Sequence, residues 1–135
     1  MEMAVSGRKV QLGVLPVPST SFTSDVVLEA PGGTVTLSFE FRRGTERYRG
    51  GIRFEKVRAY RFRAEGHCTA WHVEGAYDTI AEVTGSDWVG ELAAAEPSQT
   101  WGSWEMHHFM IYIDSAGCFE VVAQSWSLLP EERIE

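Results

Sequence analysis

The chain has 135 residues and is acidic, with 12 Lys and Arg against 19 Asp and Glu and a formal net charge of −7 at pH 7. A hydrophobic share of 44% and an aromatic share of 12% exclude an intrinsically disordered chain and allow one domain with a substantial core. The excess of negative charge argues against non-specific binding of nucleic acid by the whole molecule.

The two signs of charge are concentrated in different parts of the chain. Residues 1–65 hold eleven of the twelve basic side chains and a net charge of +4, whereas residues 66–135 hold a net charge of −11. A folded domain must either pair these charges internally or present one set to a partner. The acidic second half favours a basic protein as that partner.

The arginine-rich stretch 42–63 has interleaved aromatic residues, a composition that can bind single-stranded nucleic acid. Glutamates interrupt this stretch, and the acidic half of the domain must lie close to it. We therefore expect these arginines to form internal ion pairs or to protect sheet edges, rather than to bind nucleic acid.

Residues 1–24 are predicted to be a flexible leader or an edge segment, because PVPSTSFTS is rich in proline and hydroxyl residues. The apolar run before it is short and interrupted by Pro16 and Pro18, so neither a signal peptide nor a membrane span is expected. The expected compartment is the cytoplasm. Two cysteines, Cys68 and Cys118, are too few for a disulfide framework.

Residues 25–135 are predicted to form a single β-rich domain. Residues 34–42 alternate between apolar and polar side chains and predict a half-buried strand, and residues 42–51 then predict a polar loop bounded by glycines. Residues 52–63 predict a further strand with a bulge near residues 56–58.

Residues 77–83 fit a strand or a helix, whereas residues 86–96 form the best helix of the chain, with Ser86 or Asp87 as its N-cap. Together these segments predict an α+β fold that is mainly antiparallel β, as a curved sheet or an open barrel or sandwich, with one short helix near residues 86–96.

Residues 107–126 (HHFMIYIDSAGCFEVVAQSW) predict a hairpin around the turn Asp114-Ser115-Ala116-Gly117. The turn that these residues favour pairs Tyr112 with Glu120 and His108 with Gln124. One face is apolar and is predicted to be core. The other mixes aromatic, acidic, amide and imidazole groups, which suggests that it covers a groove or a partner; it carries His108, Met110, Tyr112, Asp114, Cys118, Glu120, Val122 and Gln124, and it is extended by Trp126.

Neither a metal site nor another cofactor is expected. His67, Cys68 and His72 offer three possible ligands, but their spacing matches no standard zinc pattern. The adjacent residues His107 and His108 would point to opposite faces of a strand.

A cysteine nucleophile is also disfavoured. Cys118 lies beside the turn and His108 lies at the far end of the hairpin, roughly 20 Å away at ~3.3 Å per strand residue. This separation prevents the two side chains from forming a catalytic dyad, and a buried structural cysteine is the commoner state.

A pair of carboxylates is a better candidate for chemistry. Glu120 lies opposite Tyr112 in the predicted hairpin, and Glu65 and Asp78 could join it from other strands, provided that a pocket shifts their pKa values. The ordinary alternative is that Glu120 accepts a hydrogen bond from Tyr112. Separately, Trp101 and Trp104 lie in a Gly/Ser loop, where exposed tryptophans can stack on sugars or anchor a protein.

The run HHFMIYIDSAGCFEVVAQSW, preceded by YDTIAEVTGSDWVGEL, resembles the ending of small uncharacterised bacterial proteins, some of which are similar to immunity proteins of toxin systems. The resemblance covers residues 77–126. It implies a pattern of fold and no catalytic residue.

The sequence leads to three hypotheses about function. The first is a non-enzymatic cytoplasmic binding module that uses its acidic half and the hairpin face to engage a basic protein, and it allows for a homodimer. The second is a small-ligand domain or enzyme with a pocket lined by Glu120, Tyr112 and His108. The third is a sugar-binding module that uses Trp101 and Trp104. The binding residues that these hypotheses use are His108, Tyr112, Glu120, Gln124, Trp126, Trp101 and Trp104.

Overall fold

The computed structural model describes residues 8–96 and 105–134, which form two antiparallel sheets packed face to face. The predicted fold class is confirmed, since the structure is mainly antiparallel β with a short helix at Asp87–Ala95, and the sheets are not closed into a barrel. It is therefore an open sandwich.

The elements follow one another from β1 to β10. The strands are β1 (Arg8–Val14), β2 (Val27–Glu29), β3 (Thr34–Arg43), β4 (Glu46–Glu55), β5 (Ala59–Ala64), β6 (Thr79–Thr84), β7 (His107–Ile113), β8 (Gly117–Ala123), β9 (Ser125–Leu128) and β10 (Glu132–Arg133), and the α-helices are α1 (Ala70–Val73) and α2 (Asp87–Ala95). Sheet A has the order β1-β6-β7-β8-β5, and sheet B has the order β10-β4-β3-β2, with β9 also paired to β4.

The core lies between the two sheets and follows directly from alternation along the strands. In β3 the predicted apolar set is buried while its neighbours are partly exposed. The facing side chains of sheet A come from β6, β7 and β8. The main members of this core are Val35, Leu37, Phe39, Phe41, Ile52, Phe54, Ile80, Phe109, Ile111, Ile113, Phe119, Val121 and Ala123.

The prediction of a loop at residues 42–51 is wrong, because most of this segment is the hairpin between β3 and β4. The turn needs only two residues between the strands, with Gly44 at φ +67°. Glu40 accepts from both Arg47 and Arg49, at 2.8 and 3.1 Å, so the charges that suggested a solvated loop in fact pair across the two strands.

The predicted strand at residues 52–63 is two strands in different sheets. Its first part completes β4 of sheet B and its second part is β5 of sheet A. The break predicted as a bulge is the crossover, where Lys56 has φ +55°. Residues 8–14, within the predicted leader or edge segment, form β1 at the edge of sheet A, paired with β6.

The hairpin β7–β8 is confirmed, but its register differs by two residues from the predicted one. Met110 lies opposite Glu120, and Tyr112 opposite Cys118. Ala116 N–H donates to Ile113 O at 3.0 Å, so the turn begins one residue earlier than predicted. Gly117 follows this turn at φ +141°, a conformation that other residues rarely adopt, and a Cβ there would lie 2.2 Å from Arg63 O of β5. Backbone conformation and close approach of that strand therefore both require the glycine.

Candidate functional site

The mixed face predicted for the hairpin exists, because a shift of two residues preserves the side on which each side chain lies. It is the outer face of sheet A, and α1 and α2 lie over it. His108, Tyr112 and Glu120 are only 2%, 7% and 4% exposed. These three side chains are therefore placed in a second, smaller core rather than on an open surface.

A continuous hydrogen-bonded network connects α2 to the sheet through His108. The Nε2 atom of His108 lies 2.7 Å from Glu120 Oε1, and its Nδ1 atom lies 2.7 Å from Ser86 Oγ. Since a carboxylate accepts only, His108 Nε2 is the donor to Glu120. Ser86 is the N-cap of α2, and its Oγ also accepts from Val89 N–H at 3.2 Å.

Arg61 of β5 completes this network, which we call the His108 network and define as Arg61, Ser86, His108 and Glu120. Arg61 Nη2 donates to Glu120 Oε1 at 3.0 Å, and its guanidinium lies 3.9 Å from the ring centroid of Trp88. Trp88 meets His108 edge-on, with ring centroids 5.1 Å apart. Helix α2 thus covers the network, and the side chains of the network bond to one another.

Glu120 stays ionised in this buried position. Burial by itself would raise the pKa of Glu120, but hydrogen bonds from His108 and Arg61 outweigh it and lower the pKa to about 2. The charge is compensated inside the protein, which is the arrangement expected of a structural ion pair.

Tyr112 does not contact Glu120 as predicted, because Met110 occupies the position opposite Glu120. Instead Tyr112 Oη donates to Glu65 Oε2 at 3.0 Å, and the same oxygen accepts from Ser115 N–H at 2.9 Å. Burial and the bond to Glu65 raise the pKa of Tyr112 to about 12. Glu65, which was expected to join Glu120 in a carboxylate site, instead reaches this face through its bond to the tyrosine.

Asp78 does not join that face. It is 8% exposed, and its Oδ2 atom accepts from Ser19 N–H at 3.0 Å. Gln124 is half-buried where the chain passes from β8 to β9, and its N–H donates to Glu55 O at 3.1 Å.

Trp126 belongs to sheet B rather than to the hairpin face. It lies opposite Phe54 and packs against the main core. Its ring lies so close to β1 that a Cβ on Gly13 would be 2.8 Å from Trp126 Cη2. Trp101 and Trp104 lie outside the described residues, so their sugar-binding role stays a prediction.

A third group of side chains lies under α1. Lys9 of β1 donates to the carbonyl oxygens of Trp71 and Glu74, and its Nζ atom is 4.4 Å from the centroid of the Trp71 ring. Cys118 is fully buried below this helix, where burial and the nearby Glu120 raise the pKa of its thiol. Cys68 packs against the same cluster, and both thiols are free.

The structure also contains a groove that the sequence does not predict. It lies between the edge strands β2 and β5, has a volume of about 1090 Å³ and is open to solvent; we call it the β2–β5 groove. Tyr60 and Phe62 of β5 line one wall and are 46% and 50% exposed. The Phe62 ring lies 4.7 Å from that of Phe119, which links the wall to the main core.

The opposite wall of the groove mixes hydroxyl and apolar side chains, and two aspartates belong to the lining. Val26 and Leu28 form part of this wall, and Asp25 and Asp114 are the charged residues of the lining. Neither aspartate has a salt-bridge partner among the described residues. The groove therefore combines exposed aromatic surface with uncompensated negative charge.

The arginines of the first half behave as structural ion-pair partners. Arg43 binds Glu131 at 2.7 Å, and Arg61 binds the buried Glu120. Arg58 binds Glu96 at 2.8 Å. These pairs join the basic and acidic parts of the chain, as expected for internal pairing, and the excess of 19 acids over 12 bases remains.

Sequence reasoning missed the roles of Ser86 and Arg61 in the His108 network, because both reach His108 or Glu120 only through tertiary packing. It considered Tyr60 and Phe62 only as aromatic residues of the arginine-rich stretch 42–63, whose possible binding of nucleic acid it disfavoured. Alternation of aromatic and basic residues in AYRFRA was the available signal, and only the tertiary structure shows that β5 is an edge strand whose aromatic side chains are half-exposed.

Within the described residues, no three His, Cys, Asp or Glu side chains come together as a possible metal site. No helix in that same part of the chain has the length and apolar character needed to cross a membrane. Comparisons of this chain with protein-family models, with curated proteins and with solved structures find no match. The resemblance of residues 77–126 to immunity proteins stays a prediction.

Proposed function

We propose that this protein is a non-enzymatic binding module that engages a basic protein partner through the β2–β5 groove. The observation that carries this proposal is the pair of half-exposed aromatic side chains, Tyr60 and Phe62, in an open groove of about 1090 Å³. Large aromatic side chains left in contact with water are costly and are typical anchors of a partner.

Charge supports a basic partner. Asp25 and Asp114 lie at the groove, whose lining contains no Lys, Arg or His. The protein as a whole carries a net charge of −7. Complementary charge accelerates the encounter with a basic protein and makes its rate sensitive to salt.

The His108 network supports binding at the groove over a ligand pocket lined by His108, Tyr112 and Glu120. His108 and Glu120 are 2% and 4% exposed, and their polar atoms already bond to one another, to Ser86 and to Arg61. A site for a small ligand needs polar groups that remain available to it. We therefore assign the network to stability.

The test is affinity capture from a host lysate at low salt with the wild-type protein and two groove variants, Phe62→Ser and Asp25→Asn/Asp114→Asn. We expect a protein of high isoelectric point to be retained by the wild type and released at high salt. Both groove variants should lose it, because one removes the apolar anchor and the other removes the charge.

Matched controls are Val14→Ser and Glu91→Gln, which change an exposed apolar and an exposed acidic residue outside the groove. Val14 is in β1, at the opposite edge of sheet A from β5. Both controls should retain the partner. Equal retention by all variants, or no salt-released partner at all, would contradict the proposal.

A further inference from the structure

We infer that the β2–β5 groove accepts an extended segment of the partner as a new strand on β5, an inference that rests on the proposed function. Strand β5 is six residues long and ends sheet A, and it pairs with β8 on one side only. In the described part of the chain no strand pairs with its other side. An edge of this kind offers unpaired backbone groups to an extended peptide.

The hydrogen bonds at the two ends of β5 identify which backbone groups are free. Arg58 N–H donates to Val122 O at 2.8 Å, and Glu65 N–H donates to Ala116 O at 3.1 Å. The even-numbered residues of β8 therefore direct their N–H and C=O groups towards β5. By the alternation of an antiparallel ladder, Arg61 and Arg63 use theirs against β8, whereas Tyr60 and Phe62 direct theirs to the open edge.

The same two residues supply the exposed side chains of the groove, so backbone and side-chain recognition coincide. A strand added beside Tyr60 and Phe62 would direct alternate side chains into the groove, towards Val26 and Leu28. Apolar side chains at these inward positions would cover aromatic surface that is now half-exposed.

Charge specifies where a basic residue of the segment must lie. Asp114 belongs to the turn that precedes Gly117, and Gly117 lies opposite Ala64, so this end of the groove is the acidic one. On the outer face of β5, the exposed Arg63 disfavours a second cation at an outward position. The segment is thus extended, with apolar inward side chains, uncharged outward side chains and a Lys or Arg at one end.

The probes are eight-residue peptides of alternating Val and Thr with one terminal Lys, made with the Lys at either end. Each is also prepared with N-methyl groups on its odd-numbered or on its even-numbered residues. An N-methyl group removes a backbone donor, and only alternate residues of an added strand face β5. One methylated form should bind at least about tenfold more weakly than its parent, and the other should bind almost as well.

Binding is measured by fluorescence anisotropy of labelled peptide, and its position by hydrogen exchange of the backbone amides. We expect new protection at Tyr60 and Phe62 and weaker binding to Phe62→Ser, with Val14→Ser as control. Equal effects of the two methylation patterns, protection at Leu28 in place of Tyr60 and Phe62, or no binding of any peptide would overturn strand addition. The proposed function has its own test. Loss of lysate capture in the groove variants would support it even if strand addition were overturned.

Discussion

Glu120 shows how a single charged residue can be kept in a nearly dry position. Its carboxylate is 5% exposed, and it is bonded by His108 at 2.7 Å and by Arg61 at 3.0 Å. Removing the carboxylate leaves the buried His108 without its acceptor, and the loss of a partner in such a buried pair costs more than the pair itself contributes. The network therefore makes a strong prediction about stability.

Replacing Glu120 by glutamine (Glu120→Gln) should lower the free energy of unfolding by about 2–3 kcal/mol at pH 7, because Arg61 and His108 lose their carboxylate acceptor. Urea denaturation measures the change. Glu29→Gln, at an exposed position of β2, is the control and should shift stability by no more than about 0.5 kcal/mol. An equally small effect of Glu120→Gln would refute a stabilising role of the network.

Glu120 also predicts how the stability of the protein depends on pH. The pKa of Glu120 falls from 4.5 to about 2 in the folded protein. A lowered folded pKa stabilises the native state above the ordinary pKa, and this contribution disappears as the pH falls through the folded pKa. Between about pH 5 and pH 2 the wild type should lose roughly 3 kcal/mol from this group. Urea denaturation across this range should show a flatter profile for Glu120→Gln, and parallel profiles would contradict the assignment.

Gly13 of β1 tests how closely this strand packs against Trp126. Gly13→Ala should destabilise the fold by about 1–3 kcal/mol, because the new Cβ would lie 2.8 Å from the Trp126 ring. The matched control is Gly66→Ala, where a Cβ meets nothing within 4 Å. Thermal unfolding of both variants measures the difference. A Gly13→Ala variant as stable as Gly66→Ala would show that the indole moves aside at little cost.

At the residue scale, alternation predicted which hairpin side chains share a face, and this was correct for His108, Tyr112 and Glu120. It could not predict their partners. Glu120 binds Arg61, 59 residues away, and Tyr112 binds Glu65, 47 residues away. The turn begins at Ile113, one residue earlier than predicted, and the resulting two-residue difference in register places Met110 rather than Tyr112 opposite Glu120.

At the scale of elements, helix α2 is the best predicted segment, because its start is encoded locally. Ser86 was a predicted cap, and the structure confirms that its side chain accepts from Val89 N–H. The sequence gives no sign that the same hydroxyl bonds His108. The Ser86 side chain thus caps the start of α2 and also attaches the helix to sheet A.

Removing that hydroxyl should have two costs. Ser86→Ala leaves the first turn of α2 without its cap and His108 Nδ1 without its partner, so we expect a loss of about 1–3 kcal/mol in urea denaturation. Ser86→Thr keeps the hydroxyl and should recover most of the loss. Ser127→Ala, at an exposed position of β9, serves as control. No loss in Ser86→Ala would mean that water replaces both bonds.

Strands were harder to delimit than the helix. Residues 52–63 have a nearly continuous strand pattern, yet the chain changes sheet at Lys56. Local alternation is the same whether a strand continues or crosses to the other layer, so only packing of the two sheets separates β4 from β5. This crossover also places Tyr60 and Phe62 at the open edge.

At the scale of the whole molecule, Cys118 lies below α1 and is fully buried. In a Cys68→Ser variant, which leaves Cys118 as the single thiol, we expect labelling by a thiol reagent to follow global unfolding. Across a urea series, the free energy of opening derived from the labelling rates should therefore fall with urea as steeply as the free energy of global unfolding does. Rapid labelling in native buffer would show instead that α1 opens locally while the sheets remain intact.

The sequence by itself determined the β-rich class, the apolar faces of the strands, the short helix and the separation of charge, because alternation, capping and composition act over a few residues. Only the tertiary structure decided that two sheets form an open sandwich, that α1 and α2 bury the hairpin face, and that Tyr60 and Phe62 lie half-exposed on the edge strand β5. These outcomes depend on contacts between residues that are far apart in the chain, and local patterns do not record which distant surfaces will meet.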